Sequence, residues 1–470
     1  VDALARALGR IPDGPEAPID VFLPLYRGMR LPDGEHVTRT IRVPDPLAPD
    51  GTAPGTAAHA PDGTTDVRII EVVSHGYRLR LVDHPPAFDR AGYYGDNGVD
   101  DHPDNAWRFG LLCRAALETL RTDGRPVDVI HVHDWHAAPA ILLRDRFYAE
   151  DPVIGPAATL LTIHNLAYHG WTPPDRLGEL GLAPGDGIVA ADADGLDLLR
   201  AGIDRAELVN TVSPGYAAEA LTPEYGMGLD DTLRRKVGRA TVDGTPRFLG
   251  ILNGLDTALW NPATDTALAA TYGAADATGK AACRSDLLLR HGMDPEDPRP
   301  VLGMIGRLDP QKGFDILADA APDLVRLGAR IIVQRTGDAR IADALRRQAA
   351  ARPESVALVE RFDRRNARRI YAGSDAFVMP SRFEPCGQGQ MIALRYGTPP
   401  IVRRTGGLGD TVIDETERPG EGTGFTFDEP TPEALLGACE RAFALRGSGT
   451  APAWCAMVDR GMALDFGWET

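Results

Sequence analysis

Residues 381–411 decide the reading of this chain: Ser381-Arg-Phe-Glu-Pro-Cys-Gly-Gln-Gly-Gln390, then Arg395-Tyr-Gly-Thr-Pro-Pro-Ile-Val-Arg-Arg-Thr-Gly-Gly-Leu-Gly-Asp-Thr411. An apolar strand, Asp375-Ala-Phe-Val-Met379, runs into a turn that sets Glu384 just before a glycine-spaced helix start. A second strand, Pro400-Ile-Val402, ends in Arg403, Arg404 and another glycine-rich turn at Thr405, Gly406 and Gly407. A carboxylate, two arginines and two sets of backbone N–H groups are thereby expected at the carboxyl edge of one sheet. That combination suits a sugar joined to a diphosphate: N–H groups and arginines hold the phosphates, and the carboxylate holds sugar hydroxyls.

Working outward, apolar strand patterns alternate with helical ones, which predicts an α/β protein with parallel sheets. The first half offers strands at 19–23, 127–132, 158–163 and 207–212; the second offers 301–305, 330–333, 355–359, 376–379 and 401–402. Helices are expected at 106–121 and 342–351. A chain of 470 residues is too long for one ordinary core. A boundary is placed near the turn-like Thr241–Pro246, giving domains at 1–247 and 248–455. Residues 47–65, rich in Pro, Gly, Ala and Thr, have no period and are expected to be a mobile surface insertion.

The formal net charge of −17 disfavours nucleic acid and anionic membranes as partners. It also requires a local basic cluster for any anionic substrate. No apolar run is long enough to span a bilayer and no signal peptide opens the chain. Cysteines 113, 283, 386, 439 and 455 show no paired or metal-like spacing, so a reducing, cytoplasmic setting is expected. Only Lys236, Lys280 and Lys312 are lysines among 50 basic residues. The first two fall in polar helical stretches and read as incidental. Lys312 lies in Gly306-Arg-Leu-Asp-Pro-Gln-Lys-Gly313, directly after a strand, and reads as chemical. Arg307 and Lys312, five residues apart across a proline-containing loop, can both reach one diphosphate, although the spacing is not that of a P-loop.

In the first half, His131-Val-His-Asp-Trp-His136 follows a strand. A metal site is conceivable by residue type, but no fourth ligand stands out, and a substrate-positioning cluster fits better. Leu161-Thr-Ile-His164 has the same form, a buried strand ending in a histidine before a glycine turn.

These segments resemble those of the bacterial glycogen synthase and plant starch synthase family. The match runs through His133-Asp-Trp-His136, Thr162-Ile-His-Asn-Leu-Ala-Tyr168, Asn210-Thr-Val-Ser-Pro-Gly-Tyr216, Tyr225-Gly-Met227, Gly250-Ile-Leu-Asn-Gly-Leu-Asp256, Gly306–Gly313, Tyr371–Asp375, Pro380–Gly387 and Arg395–Leu408, in order. The resemblance implies a GT-B fold, two Rossmann-like domains with parallel sheets facing across a deep cleft. It implies retaining transfer of glucose from ADP-glucose to the non-reducing end of an α-1,4-glucan, with no metal or other cofactor. By resemblance Arg307 and Lys312 bind the diphosphate, Glu384 holds glucose hydroxyls, and His164 and Asp134 line the sugar site. Asn253, Gly387, Gln388, Arg403, Arg404, Thr405, Gly406, Gly407, His136 and Asp338 are assigned to substrate or nucleotide binding. Replacing Lys312 or Glu384 is expected to abolish most turnover and leave the fold intact.

Departures from the family pattern leave alternatives open. The Lys-x-Gly-Gly-Leu motif of the first β-α turn is missing, and Val1-Asp-Ala-Leu-Ala resembles the helix after it. Residues 456–470 resemble the start of the helix that returns to the first domain, so the chain reads as truncated at both termini. Arg335 replaces a usual glycine at what reads as a strand-end loop, and Gln388 a usual leucine. A related retaining transferase using UDP-glucose or a small acceptor, or a catalytically weak glucan-binding paralogue, remains an alternative.

Overall fold

The computed structural model describes residues 2–10, 19–31, 35–46, 63–74, 76–95, 101–190, 194–238, 244–337, 339–361 and 363–468. The chain forms two compact units. One comprises residues 1–211 and 219–249, the other residues 212–218 and 250–470. Residues 456–470 thus group with the second unit, where the helix Pro452–Ala463 buries Trp454 and Met457 in that unit's core.

The first unit begins with the helix Asp2–Leu8 and carries strands β1 (Ile19–Pro24), β2 (Val37–Pro44), β3 (Thr64–Ser74) and β4 (Tyr77–Asp83), arranged β1-β4-β3-β2. Only β1 and β4 are parallel; β2, β3 and β4 form an antiparallel ribbon that the expectation of parallel sheets did not foresee. The reason is local: β3 and β4 are joined by a tight turn, which only antiparallel strands allow. Residues 47–62 lie outside the described residues, whereas Thr64 and Thr65, assigned to the insertion, open β3. A second sheet has β5 (Val129–His133), β6 (Ala158–Ile163), β9 (Leu208–Thr211) and β10 (Phe248–Gly250) in the order β10-β9-β6-β5, with β5, β6 and β9 parallel. Between β6 and β9 lies a two-residue ribbon, β7 (Trp171–Thr172) with β8 (Leu196–Asp197).

The second unit is one six-stranded sheet of β11 (Val301–Leu308), β12 (Arg330–Gly337), β13 (Val356–Val359), β14 (Ala376–Met379), β15 (Pro400–Arg403) and β16 (Phe425–Phe427). Its order is β13-β12-β11-β14-β15-β16 and every pairing is parallel. Parallel strands joined by helices are covered on both faces, so their sequences are almost continuously apolar. Along β12, Ile331 and Val333 enter the cluster with Phe314, Leu324 and Trp454, while Ile332 enters the opposite one with Leu287, Ile370 and Phe377. Numbered from β11, the order is that of a doubly wound dinucleotide-type sheet, which reverses between β11 and β14.

Lys236 and Lys280 are not incidental. The Lys280 ammonium donates to the carbonyls of Ala372 and Tyr396, each at 3.0 Å, and to Thr398 Oγ1 at 2.7 Å. Burial pushes its pKa down to about 8. Lys236 Nζ donates to Asp204 O at 3.0 Å and Ala206 O at 2.5 Å. Both tie loops to helices.

Candidate active site

In a doubly wound sheet the ligand crevice opens where the strand order reverses, at the strands' carboxyl ends. In the second unit that point lies between β11 and β14. The loop after β11 carries Lys312 and the loop after β14 carries Glu384. Lys312 Nζ donates to Glu384 Oε1 at 2.8 Å and Oε2 at 2.6 Å, and Ser381 Oγ donates to Oε2 at 3.1 Å. The Glu384 side chain is only 5% exposed and that of Lys312 25%. Gln311 joins the two loops again, donating from Nε2 to Phe383 O at 3.1 Å and accepting from Arg382 N–H at 2.7 Å through its carbonyl. Arg307 stands apart: its guanidinium is 65% exposed and its nearest recorded carboxylate is Asp309, at 3.9 Å. It is therefore available to an incoming anion.

Glycine is required at two turns here. Gly313 has φ +68°, and a Cβ on it would lie 2.1 Å from Pro380 O. Gly406 has φ +43°, and its Cβ would lie 2.2 Å from Glu384 O. That same carbonyl accepts the Gly407 N–H at 3.1 Å. The turn after β15 is thus pressed against the turn that carries Glu384.

Arg403 and Arg404 do not join the cation cluster as expected. Arg403 Nε donates to Asp428 O at 2.7 Å, and its Nη1 donates to Arg382 O. Arg404 pairs with Glu417 and with Asp428 Oδ1 at 3.2 Å, and donates to Thr426 Oγ1 at 2.8 Å. Both brace the end of β15. Arg335 is not at a strand-end loop: it lies within β12, in register with Gly306, buried and paired with Glu360. Thr405, Gly406 and Gly407 are buried at the start of the short helix Gly406–Thr411. Gly387 has φ +69° and packs beside Gln390 and Glu384; Gln388 is exposed ahead of the helix Gly389–Arg395. Asn253 hydrogen-bonds the thiol of Cys386, which burial pushes up to about 12. Asp338 lies outside the described residues.

In the first unit, parallel register places His133, Thr162 and Asn210 side by side on β5, β6 and β9. Thr162 Oγ1 donates to Asn210 Oδ1 at 2.7 Å and stands 2.7 Å from His131 Nε2. With its own proton committed, Thr162 accepts from His131, which fixes the proton of that imidazole on Nε2. His133 Nδ1 lies 3.0 Å from His164 Nε2. Asp134, just beyond β5, adopts a left-handed φ of +58°, rare for a residue with a Cβ. That turn aims its carboxylate at the end of β6, where Oδ1 accepts the His164 N–H at 2.6 Å. Burial raises the Asp134 pKa. His136 packs among Tyr94, Phe109 and Trp135, with ring centroids 5.8, 5.5 and 5.8 Å away. Among the described residues no group of three or more His, Cys, Asp or Glu side chains is arranged to hold a metal ion.

The histidine row is kept neutral. Burial lowers His131 and His164 from 6.5 to about 4 and His133 to about 2, the neighbouring imidazoles adding to the effect on His131 and His133. The unfolded chain then binds more protons than the folded one below pH 6.5, so stability is full above that value and falls as pH drops toward 4. The loss is about 2 kcal/mol per histidine by pH 5. His133→Gln, which cannot titrate, is expected to lose about 2 kcal/mol less than the parent between pH 7.5 and 5. Urea midpoints at the two pH values measure this; an unchanged difference would show that His133 is not held neutral.

Comparison with known proteins identifies the family. The family profile described as "Starch synthase catalytic domain" matches residues 1–235, and that described as "Glycosyl transferases group 1" matches residues 299–444. A glycogen synthase of Syntrophotalea carbinolica is 38% identical over 96% of this chain and 89% of its own length. The chain belongs to the glycogen synthase and starch synthase family. A second member, from Anaeromyxobacter dehalogenans, is 44% identical over 83% of this chain and 80% of its own. The catalytic domain of starch synthase IV from Arabidopsis thaliana, solved with ADP and acarbose, superposes with a TM-score of 0.82 at 32% identity, covering 96% of this chain and 89% of that one. Sucrose-phosphate synthase from Thermosynechococcus elongatus, at 20% identity and a TM-score of 0.53, shares the fold. The protein is therefore a glycosyltransferase of the glycogen synthase and starch synthase family, with the GT-B fold of its structural neighbours.

Sequence reasoning had singled out Lys312, Glu384, Arg307, Asp134 and His164. It missed Ser381 as the partner of Glu384, and the Thr162–Asn210 pair behind His131. The latter was visible in principle, since neighbouring parallel strands carrying polar residues at 133, 162 and 210 place them in one row.

Proposed function

We propose that this chain transfers glucose from ADP-glucose to the non-reducing end of an α-1,4-glucan, with retention of configuration and without a metal. The observation that carries the reading is the Lys312–Glu384 pair at the reversal point of the second unit's sheet. Breaking the bond between glucose C1 and the diphosphate leaves negative charge on the phosphate oxygens. Lys312, the exposed Arg307 and backbone N–H groups of the neighbouring glycine turns supply the compensating charge. Glu384 has both oxygens engaged by Lys312 and Ser381. Such a carboxylate is a hydroxyl acceptor and a poor nucleophile. Front-face displacement follows: the leaving phosphate takes the acceptor's hydroxyl proton while the new C1–O bond forms. In the first unit, Asp134, His136 and His164 are the candidates for sugar hydroxyls.

We further propose a reducing, cytoplasmic setting from the free cysteines; separately, no helix among the described residues is long and apolar enough to cross a membrane. The test is nucleotide release from ADP-glucose and UDP-glucose, with and without glycogen, in the presence of EDTA. Primer-dependent, chelator-resistant ADP release is the expected result. UDP release in its place would move the chain to a sibling donor specificity, and chelator-sensitive release would overturn the metal-free clamp.

A further inference from the structure

Gln390 is fully buried, and its side-chain amide sits behind the turn that follows Glu384. Nε2 donates to Cys386 O at 3.0 Å, to Gly387 O at 3.1 Å and to Thr411 Oγ1 at 3.1 Å. Two N–H bonds serve three acceptors, so one of them is shared. Thr411 gives its own proton to Gly407 O at 2.6 Å. The Gly407 N–H in turn donates to Glu384 O at 3.1 Å. These bonds close a ring, from the turn after β14 through Gln390 and Thr411 to the turn after β15, and back to Glu384. One buried amide thus braces both turns.

The other end of the amide has no donor. Oε1 is buried and without a hydrogen-bond partner among the described residues. Turning the amide over would set Oε1 against two carbonyls, so the three acceptors fix Nε2 where it stands. A buried acceptor without a donor is costly, and packing alone gives no reason to bear it. Nε2 supplies the reason by setting the direction of two peptide planes. In a trans peptide the C=O and N–H point in opposite directions. With the Cys386 and Gly387 carbonyls drawn to Gln390, the N–H groups of Gly387 and Gln388 face away from it. Neither N–H has a hydrogen-bond partner among the described residues. Gly387 is left-handed at φ +69°, and Gln388, at φ −115° and ψ −22°, is right-handed. That alternation turns successive N–H groups toward one point, as in backbone concavities that hold anions. A Cβ on Gly387 would lie 2.5 Å from Gln390 Oε1, so glycine is what lets the turn close on the amide.

We infer that Gln390 is a positioning residue for the transfer: it holds the Gly387 and Gln388 N–H groups toward the diphosphate, so that they meet the charge developing on the leaving phosphate without reorganising. The inference rests on the proposed synthase reading, in which the glycine turns face the diphosphate. Gln390 itself is buried and touches no substrate.

The experiment uses the full chain as wild type, Gln390→Met, Thr411→Val and Thr411→Ser. The readouts are ADP affinity by calorimetry, kcat and KM for ADP-glucose with glycogen, and thermal melts. Gln390→Met fills the same space without a donor. It is expected to weaken ADP binding about tenfold and to lower kcat on the order of 10²-fold, with a smaller change in KM. Thr411→Val removes the hydroxyl that joins the two turns and is expected to weaken ADP about threefold, whereas Thr411→Ser keeps the hydroxyl and should bind as the wild type does. A loss of packing alone would lower the melting temperature and leave kcat per folded molecule near wild type. ADP affinity and kcat within about twofold of wild type in both Gln390→Met and Thr411→Val would overturn the positioning role. Equal losses in Thr411→Val and Thr411→Ser would do so too, because packing and not the hydroxyl would then be responsible. If Gln390→Met does not fold, the Thr411 pair decides by the same criterion. An active wild type with unaffected variants removes the positioning role alone; a wild type that neither binds nor releases ADP removes the synthase reading, and the inference with it.

Discussion

Lys312→Ala is expected to lower turnover on the order of 10²–10³-fold, the usual effect of removing one preformed donor facing a developing negative charge. It is also expected to destabilise the second unit. Glu384 is 5% exposed and takes both of its close cation contacts from Lys312, at 2.6 and 2.8 Å. Removing the ammonium leaves a buried carboxylate supported by Ser381 alone. Breaking such a pair from one side is costly, and with Lys312 25% exposed the discounted figure is about 2 kcal/mol. The sequence suggested that the fold would stay intact; the pairing adds an expected cost in stability. Lys312→Met combined with Glu384→Gln should regain most of the stability, since no charge is then left unpaired, while turnover stays lost. Denaturant midpoints and ADP release on the three proteins separate the two effects. A double variant no more stable than Lys312→Ala would show that the pair is not the source.

Gly406→Ala is expected to be more damaging to the fold than Lys312→Ala. The methyl group would stand 2.2 Å from Glu384 O, at a φ of +43° that alanine avoids. Backbone faces backbone there, so no side chain can swing away. Left-handed strain and the forced separation of the two turns together are worth about 3 kcal/mol or more. For a unit of this size that is roughly 6–12 °C in Tm. ADP affinity should fall in parallel, because displacing Glu384 O also breaks its 3.1 Å bond from Gly407 N–H. Gly437→Ala is the control: it lies in the helix Pro432–Arg446 with nothing within 4 Å of a new Cβ. That change should be neutral or stabilising by up to about 1 kcal/mol. Thermal melts of both check the contrast, and equal melts would refute the close approach.

The legible parts of the sequence were those governed by short-range rules. The strands of the second unit are apolar on both faces, so their positions stood out, and glycine turns after them marked the carboxyl edge. Lys312 was legible because it is rare in an arginine-rich chain. The antiparallel ribbon of β2, β3 and β4 was not, because β2 and β3 alternate buried and outward-facing residues and Arg39, Arg42, Arg68, Arg78 and Arg80 dilute the apolar signal. Nor were the partners of Arg403 and Arg404: Glu417 and Asp428 lie 13 and 24 residues away and meet them only after folding. A lone arginine at a strand end looks the same in sequence whether it meets a phosphate or a neighbouring carboxylate.

The reversal of strand order between β11 and β14 has a consequence for biogenesis. Lys312 and Glu384 are separated by 72 residues, with β12, β13 and β14 between them in the chain. At an elongation rate of about 5–20 residues per second, the ribosome needs roughly 4–14 s to add that interval. Throughout it the lysine loop has emerged without its carboxylate, and the edge of β11 that β14 later covers stays open. A nascent chain halted in this window would hold half of a nucleotide pocket and no means of closing it. The interval is therefore where chaperone engagement and aggregation during synthesis should concentrate.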